Sequence, residues 1–275
     1  MKTKIILAIL TIFIIATLTF SCNRSEKYFN SGIAKYEIND NSGAISDFNK
    51  SIEINPKNTR AYFYRGCAKG NLEDYKGSVE DFTKAIETNP KFDSAYFNRG
   101  FTKINLKNYI DAIEDFTKVI EINPKYTGIY YQRGFAKFAM KDYPGAIVDL
   151  TKNIETERFT EYSYYFRGRA YLEMADYYGS MSYSKSIEDF TAAIGLNSEL
   201  AVAYHDRSIA KSKMDDYPSA ITDLTRSIEI EPDNPENYFF RGLLLNVLGE
   251  NDQACEDFKM AKKMGADIEI SKFCK

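Results

Sequence analysis

The sequence predicts an all-α fold, a solenoid of seven helix-turn-helix units behind a short apolar N-terminal segment. Three observations predict it. The chain has 275 residues and repeats itself every 34: Tyr62-Phe63-Tyr64-Arg65-Gly66 returns as Tyr96-Phe97-Asn98-Arg99-Gly100 and again as Tyr130-Tyr131-Gln132-Arg133-Gly134. Apolar residues recur three and four apart, as in Ile45, Phe48, Ile52 and Val79, Phe82, Ile86, which is one face of a helix. Proline is sparse, 7 in all, and it falls mainly at the ends of units, where a helix must stop. A repeat of this length has to be recognised before any single motif, because one unit cannot bury its own apolar face and stacked neighbours must supply the core.

The first element is residues 1–21. Lys2 and Lys4 precede an uncharged run from Ile5 to Ser21, 17 residues of mostly Ile, Leu, Phe, Ala and Thr. The pattern is that of a secretory signal, and the run is slightly short for a spanning helix of about 20 residues. Ser21-Cys22 follows, and the segment resembles a bacterial lipoprotein signal, in which a small residue precedes a Cys that is lipidated and becomes the mature N-terminus. Thr19 and Phe20 depart from that pattern, which prefers Leu and then a small residue. Lipidation at Cys22, an uncleaved anchor over 5–21 and an ordinary cleaved signal stand as the three readings. Each places the folded part outside the cytoplasm. The lipoprotein resemblance implies a bacterial membrane facing the periplasm, and the uncleaved segment would imply an inner-membrane anchor. Residues 22–24 are then a short tether.

The units follow as 25–58, 59–92, 93–126, 127–160, 161–200, 201–234 and 235–268, with only the fifth longer, by six residues. The fourth place is Tyr in every unit, from Tyr28 to Tyr238. The eighth is Gly32, Gly66, Gly100, Gly134, Gly168 and Gly242, with Ser208 in the sixth unit. The twentieth is Ala or Ser, and the twenty-fourth is Phe or Leu: Phe48, Phe82, Phe116, Leu150, Phe190, Leu224, Phe258. Small residues at the eighth and twentieth places let two helices approach, and the large residue fills the gap to the next unit. Over residues 25–268 this pattern resembles the tetratricopeptide repeat family. The resemblance implies a right-handed superhelical solenoid whose role is to bind other proteins. The unit-closing Pro, as in Asn55-Pro56 and Asn89-Pro90, is missing from the fourth, fifth and seventh units.

The register carries charges as well. The twenty-third place is Asp in all units and the seventh is Arg in six, Ser31 being the exception. A ladder between successive units is expected: Asp47 with Arg65, Asp81 with Arg99, Asp115 with Arg133, Asp149 with Arg167, Asp189 with Arg207, Asp223 with Arg241. Ser31 has no preceding unit to meet. The other reading is a set of solvated surface charges, which contribute little.

In the family it resembles, the first helix of each unit lines a concave groove, and its second, fifth, ninth, twelfth and thirteenth places face a bound peptide. Carried onto this chain, the candidates are Phe63, Phe97, Phe101, Tyr131, Phe135, Phe138, Tyr165, His205 and Phe239. If open, that is an aromatic protein-binding stripe; aromatics at helical spacing also serve as core. The Lys and Asn pattern that some family members use to clamp a C-terminal carboxylate is lacking. The insertion of the fifth unit, residues 177–185, reads as a surface loop between its two helices.

Other classes are excluded by composition. A net charge of −3, or −5 once residues 1–21 are removed, offers no basic field for nucleic acid. A single His, His205, rules out a multi-His metal site, and no phosphate loop, metal-ligand spacing or nucleophile motif is present. No cofactor, metal, small-molecule substrate or enzymatic activity is expected. Cys255 and Cys274, 19 residues apart, form a disulfide tying a C-terminal cap (269–275) to the last unit, or stay as free thiols. The expected function is an adaptor or scaffold, tethered to a membrane outside the cytoplasm, that binds a protein or peptide in its groove. The alternative is a structural subunit of an envelope complex contacting partners through its convex face or the 177–185 segment.

Overall fold

A computed structural model of the chain describes residues 23–157 and 160–274. The segment 1–21 and Cys22 lie outside them. The chain divides into two compact units, one ending at Ile129 and one beginning at Tyr130. The first holds α1 (23–37), α2 (Asn41–Ile54), α3 (Thr59–Asn71), α4 (Tyr75–Thr88), α5 (Asp93–Asn105) and α6 (Tyr109–Ile122). The second holds α7 (Ile129–Ala139, of which only Ile129 belongs to the first unit), α8 (Tyr143–Thr156), α9 (Glu161–Tyr178), α10 (Ser180–Leu196), α11 (Ala201–Ser212), α12 (Tyr217–Ile230), α13 (Pro235–Val247), α14 (Asn251–Lys263) and a 3-10 turn at Ile270–Lys272. Among the described residues every regular element is helical.

Most helix pairs turn on two residues. In the first, Asn39 takes φ 62°, and Glu73, Lys107, Lys141 and Asp215 repeat the left-handed conformation at the same place. The chain there closes a Schellman motif: Asn39 N–H donates to Tyr36 O at 3.0 Å and Asp40 N–H to Lys35 O at 2.9 Å. Asp40 then caps the next helix, its carboxylate accepting from Gly43 N at 2.9 Å, and Asp74, Asn108, Asp142 and Asp216 cap α4, α6, α8 and α12 alike. One residue thus closes one helix with its backbone N–H and caps the next with its side chain. The break between repeats rests on Asn: the Asn55, Asn89, Asn123 and Asn197 side chains accept from the backbone N–H two residues on. Asn197 does this without a following Pro.

The large residue at the twenty-fourth place is the core. Phe48, Phe116, Leu150, Phe190, Leu224 and Phe258 are wholly buried. The glycine opposite makes room: a Cβ on Gly32 would lie 2.5 Å from the Phe48 ring, and one on Gly100 2.8 Å from Phe116. At the C-terminus, Phe273 packs on Phe258 with ring centroids 4.3 Å apart, and Cys274 is disulfide-bonded to Cys255.

Two expectations are corrected. The Asp–Arg ladder runs within repeats, not between them. Arg65 Nε donates to Asp81 Oδ2 at 2.8 Å and Nη2 to Oδ1 at 2.5 Å; Arg99–Asp115, Arg133–Asp149, Arg167–Asp189, Arg207–Asp223 and Arg241–Asp257 follow the same bidentate geometry. The two helices of a repeat are antiparallel, so the seventh place faces the twenty-third of its own partner helix. The Arg still reaches the preceding repeat, through Nη1 and a different acceptor. Arg65 meets Asn49 at 2.6 Å, Arg99 meets Thr83 at 3.0 Å, and Arg167, Arg207 and Arg241 meet Thr151, Thr191 and Thr225 at 2.9–3.1 Å. In the first repeat Ser31 donates to Asp47 at 2.7 Å. A Lys four residues after the Arg joins the carboxylate in most repeats: Lys69–Asp81 at 2.9 Å, Lys103–Asp115 at 2.8 Å, Lys137–Asp149 and Lys211–Asp223 at 2.7 Å. The second correction concerns 177–185. The segment is not a loop: α9 and α10 lengthen to 18 and 17 residues, and the turn between them is Gly179 alone, at φ 69° and ψ −155°.

Candidate partner-binding site

The stripe of fifth-place rings is largely filled. Phe29 is wholly buried and Tyr165 is 7% exposed. Four of the candidates lean on the twenty-fourth-place ring of their own repeat: Phe63 on Phe82 at 5.7 Å, Phe97 on Phe116 at 6.0 Å, Tyr165 on Phe190 at 6.0 Å and Phe239 on Phe258 at 5.9 Å. The fifth and eighth places share a helix face. The glycine at the eighth admits the large ring, and the fifth-place ring closes its flank. Phe63 also meets Phe92, and Phe97 meets Tyr126. These side chains are therefore chiefly core, not an open aromatic groove. Among the sequence candidates of the first unit, Phe101 is the open one, at 46% exposure.

In the second unit Tyr131, Phe135 and Phe138 converge on Phe166, with centroids 6.3, 5.1 and 5.4 Å away. All three are half-buried. Burial pushes the Tyr131 hydroxyl up to about 12. The Arg169 guanidinium stands 5.6 Å above the Phe138 ring, so the apolar cluster ends on a cation.

Arg169 also borders a cavity of about 290 Å³ that the repeat pattern does not foretell. It is lined by Tyr165 and Arg169 of α9, Val202, His205 and Asp206 of α11, Ser227 of α12, and Glu231, Asn234 and Glu236 around the start of α13. The Tyr165 hydroxyl donates to Asp206 Oδ2 at 2.9 Å, and Arg169 Nε lies 3.5 Å from the same oxygen. Asp206 is 9% exposed. Burial raises its pKa above the ordinary aspartate value, against the opposing Arg169 charge and the Tyr165 bond. The Tyr165 hydroxyl is in turn pushed up to about 12, by burial and then by the Asp206 charge. His205 Nδ1 is 2.6 Å from Asn237 Oδ1. Asn237 Nδ2 donates to Ser227 Oγ at 2.9 Å, and Ser227 Oγ donates to Ala201 O at 3.0 Å. That chain makes Asn237 Oδ1 the acceptor, so the His205 proton is on Nδ1 and Nε2 is an acceptor in the neutral ring. A second cavity, about 310 Å³, adjoins through Glu236 and is lined by Phe239, Met264 and Ile268.

A signal for this site is present in the sequence. Asp206 is the one acid at the sixth place, and Arg169 the one charged residue at the ninth. Tyr165 precedes Asp206 by one repeat, where most repeats carry Phe at that place.

For catalysis little is on offer. Burial pushes the Cys67 thiol up to about 12, which leaves no thiolate at neutral pH. Among the described residues no group of three or more His, Cys, Asp or Glu is placed to hold a metal, and no helix is long and apolar enough to cross a membrane.

Sequence models of the tetratricopeptide repeat match residues 26–58, 59–92 and 94–126. Human tetratricopeptide repeat protein 36 is 33% identical over 87 residues, 30% of this chain and 46% of that protein. The heat shock protein sti1 homolog of Schizosaccharomyces pombe is 32% identical over 85 residues, 31% of this chain and 14% of that protein. The chain thus spans less than half the length of these curated relatives. Among solved structures, the C-terminal part of a TPR repeat-containing protein from Cytophaga hutchinsonii superposes with a TM-score of 0.73 at 18% identity, covering 90% of this chain and 99% of that one. A tetratricopeptide repeat protein from Parabacteroides merdae superposes with a TM-score of 0.63 at 18% identity, over 91% and 97%. The fold is an all-helical repeat array, and residues 26–58, 59–92 and 94–126 are tetratricopeptide repeats.

Proposed function

We propose that this chain is a non-enzymatic adaptor or scaffold that binds a protein or peptide on the first-helix face of its repeats. Tetratricopeptide repeat proteins mediate protein–protein interactions, and the family supplies the class. The observation that carries the surface is the pair of adjoining cavities on the second unit, one polar and one apolar, sharing Glu236. Val202 stands on the polar cavity at 40% exposure, an apolar side chain left open where a partner would cover it. The second helices, by contrast, expose apolar residues such as Ile110 and Val148 singly, which needs no partner to explain it. We propose further that residues 1–22 hold the array outside the cytoplasm, through lipid on Cys22 or through the apolar run itself. The basis is the charge pattern of that segment.

The test places a photo-crosslinking amino acid at position 202 or at position 148 of the full chain in cells. Partners trapped from 202 and absent from 148 support the reading, as does their loss from affinity purification when Val202→Trp fills the cavity. Partners trapped only from 148 would move the working surface to the second helices. For the anchor, Cys22→Ser is fractionated beside the wild type. Release from membranes supports lipidation; full retention supports the uncleaved segment.

A further inference from the structure

We infer that the polar cavity of the second unit is a receptor for one basic side chain, a lysine or arginine of the protein partner. The inference rests on the first-helix face being the binding surface. It starts from a mismatch of charge and of hydrogen-bonding groups. Asp206, Glu231 and Glu236 line the cavity against the single cation Arg169, and Arg169 is already shared with Glu173 at 3.5 Å. Asp206 is largely buried, its side chain 13% exposed, and both of its contacts go to Oδ2. Among the described residues its Oδ1 accepts no hydrogen bond. The twenty-third-place aspartates, more deeply buried, show what satisfaction looks like in this protein: Asp115 takes Arg99 on both oxygens and Lys103 besides. Asp206 falls short of that, and its Oδ1 is an acceptor still available to a donor that enters the cavity.

The groups around it are acceptors too. His205 Nε2 has a free lone pair, since Nδ1 is committed to Asn237, and the Glu231 and Glu236 carboxylates complete the wall. A ligand that answers these groups carries positive charge and several N–H donors, which describes an ammonium or a guanidinium. The size agrees. About 290 Å³ is at the lower edge of small-molecule pockets, roughly 300 Å³ and upward, and suits the end of one side chain. The adjoining apolar cavity, lined by Phe239, Met264 and Ile268, would take an apolar residue of the same segment. The occupant is therefore a segment with a basic residue and, a few positions away, an aliphatic one.

The test uses two labelled peptides, acetyl-Leu-Gly-Ser-Arg-Ser-Gly-Leu-amide and its twin with neutral citrulline in place of Arg. Binding to the full chain is read by fluorescence anisotropy at low salt. The arginine peptide is expected to bind at least tenfold more tightly. Asp206→Asn should reduce that preference below about threefold, because Asn keeps an acceptor for Tyr165 but removes the charge. Far-UV circular dichroism confirms that the variant is folded. Glu231→Gln/Glu236→Gln, both on the exposed wall, gives a second reading that does not touch the buried site. Equal binding of the two peptides overturns the inference, and so does a preference that survives both variants. If both bind equally and Val202→Trp abolishes them, the basic receptor is wrong while the binding surface stands. If neither binds, the basic receptor is again overturned, and crosslinking at position 202 decides separately whether the surface holds a partner.

Discussion

Arg99 and Arg167 make the same contacts with one difference, and that difference predicts unequal losses on replacement. Each guanidinium grips its own repeat's Asp with Nε and Nη2, reaches a Thr of the preceding repeat at 3.0 Å, and lies 5.5 Å from a Tyr ring. Asp115 also holds Lys103 at 2.8 Å, whereas the residue corresponding to that lysine in the fifth repeat is Tyr171, and among the described residues Asp189 has no second cation within salt-bridge distance. Arg→Met keeps most of the aliphatic stem and removes the charge. Arg99→Met leaves Asp115 partnered, and losing charge-assisted bonds of this kind costs about 2 kcal/mol. Arg167→Met leaves Asp189, 5% exposed, as an unpaired buried charge, for which about 3–5 kcal/mol is expected. The gap should be about 1–3 kcal/mol by the same principles. Burial already raises the Asp189 pKa above its ordinary value, and losing Arg167 raises it further. The Arg167→Met defect should therefore shrink as pH falls and Asp189 takes up a proton. Hydrogen exchange over α5–α6 and α9–α10 measures each helix pair locally, which suits an array that need not unfold all at once. Adding Asp189→Asn to Arg167→Met should recover part of the loss. Equal losses in the two variants, or no recovery in the double variant, would refute the idea that the uncompensated carboxylate sets the cost.

Three further outcomes are expected. Gly179→Ala should destabilise the α9–α10 hairpin by about 1–3 kcal/mol, since its φ 69°, ψ −155° backbone is open to glycine almost alone and nothing lies within 4 Å of the added methyl; thermal melting checks it. Asp206→Asn should stabilise the chain at neutral pH. Because burial raises the folded pKa of Asp206, the folded wild type binds more protons than the unfolded chain between the ordinary and raised values, so the wild type gains as pH falls through that interval and the variant's advantage should disappear there. His205, Arg169 and Glu173 face the same carboxylate and are held fixed in that comparison. Replacing Cys255 and Cys274 together by Ser opens a loop with a sequence separation of 19 and should cost about 3 kcal/mol, read as lost exchange protection in α14 while α3–α6 stay unchanged.

The repeat was legible because its rules are steric. A Gly that admits a Phe and an Ala that admits a helix can be read from spacing alone, and the burial of Phe48, Phe116 and Phe258 follows. The ladder was legible in its residues and not in its pairing. Arg65 stands 18 residues after Asp47 and 16 before Asp81, and only the antiparallel packing of α3 on α4 decides between them. The fifth-place aromatics were ambiguous in principle, since a ring facing a groove and a ring closing a core have the same periodicity. The insertion misled for a related reason. With six added residues and a shorter turn, α9 is five residues longer than α3 and α10 three longer than α4, so the helical pattern continues through a segment that counting assigns to a loop.

The cavity on the second unit lies where the repeat stops repeating. In an array, a place occupied by the same residue in every repeat is committed to a contact that every repeat must make. It can stack repeats but cannot tell one stretch of the surface from another. Discrimination has to come from places that differ. Arg169 at the ninth place, Asp206 at the sixth, His205 at the fifth and Asn237 at the third each depart from their counterparts in the other repeats. They come from three successive repeats. Arg169 contacts Asp206, and Asn237 contacts His205 on the same helix. Fold stability does not require such a cluster, since the other repeats, Lys27 apart, stack with apolar or uncharged residues at the same places. Asp206 in fact carries a burial cost that its neighbours do not fully offset. A cost concentrated in one cavity, at positions free to vary, is physically consistent with a surface shaped for a ligand that supplies the missing charge.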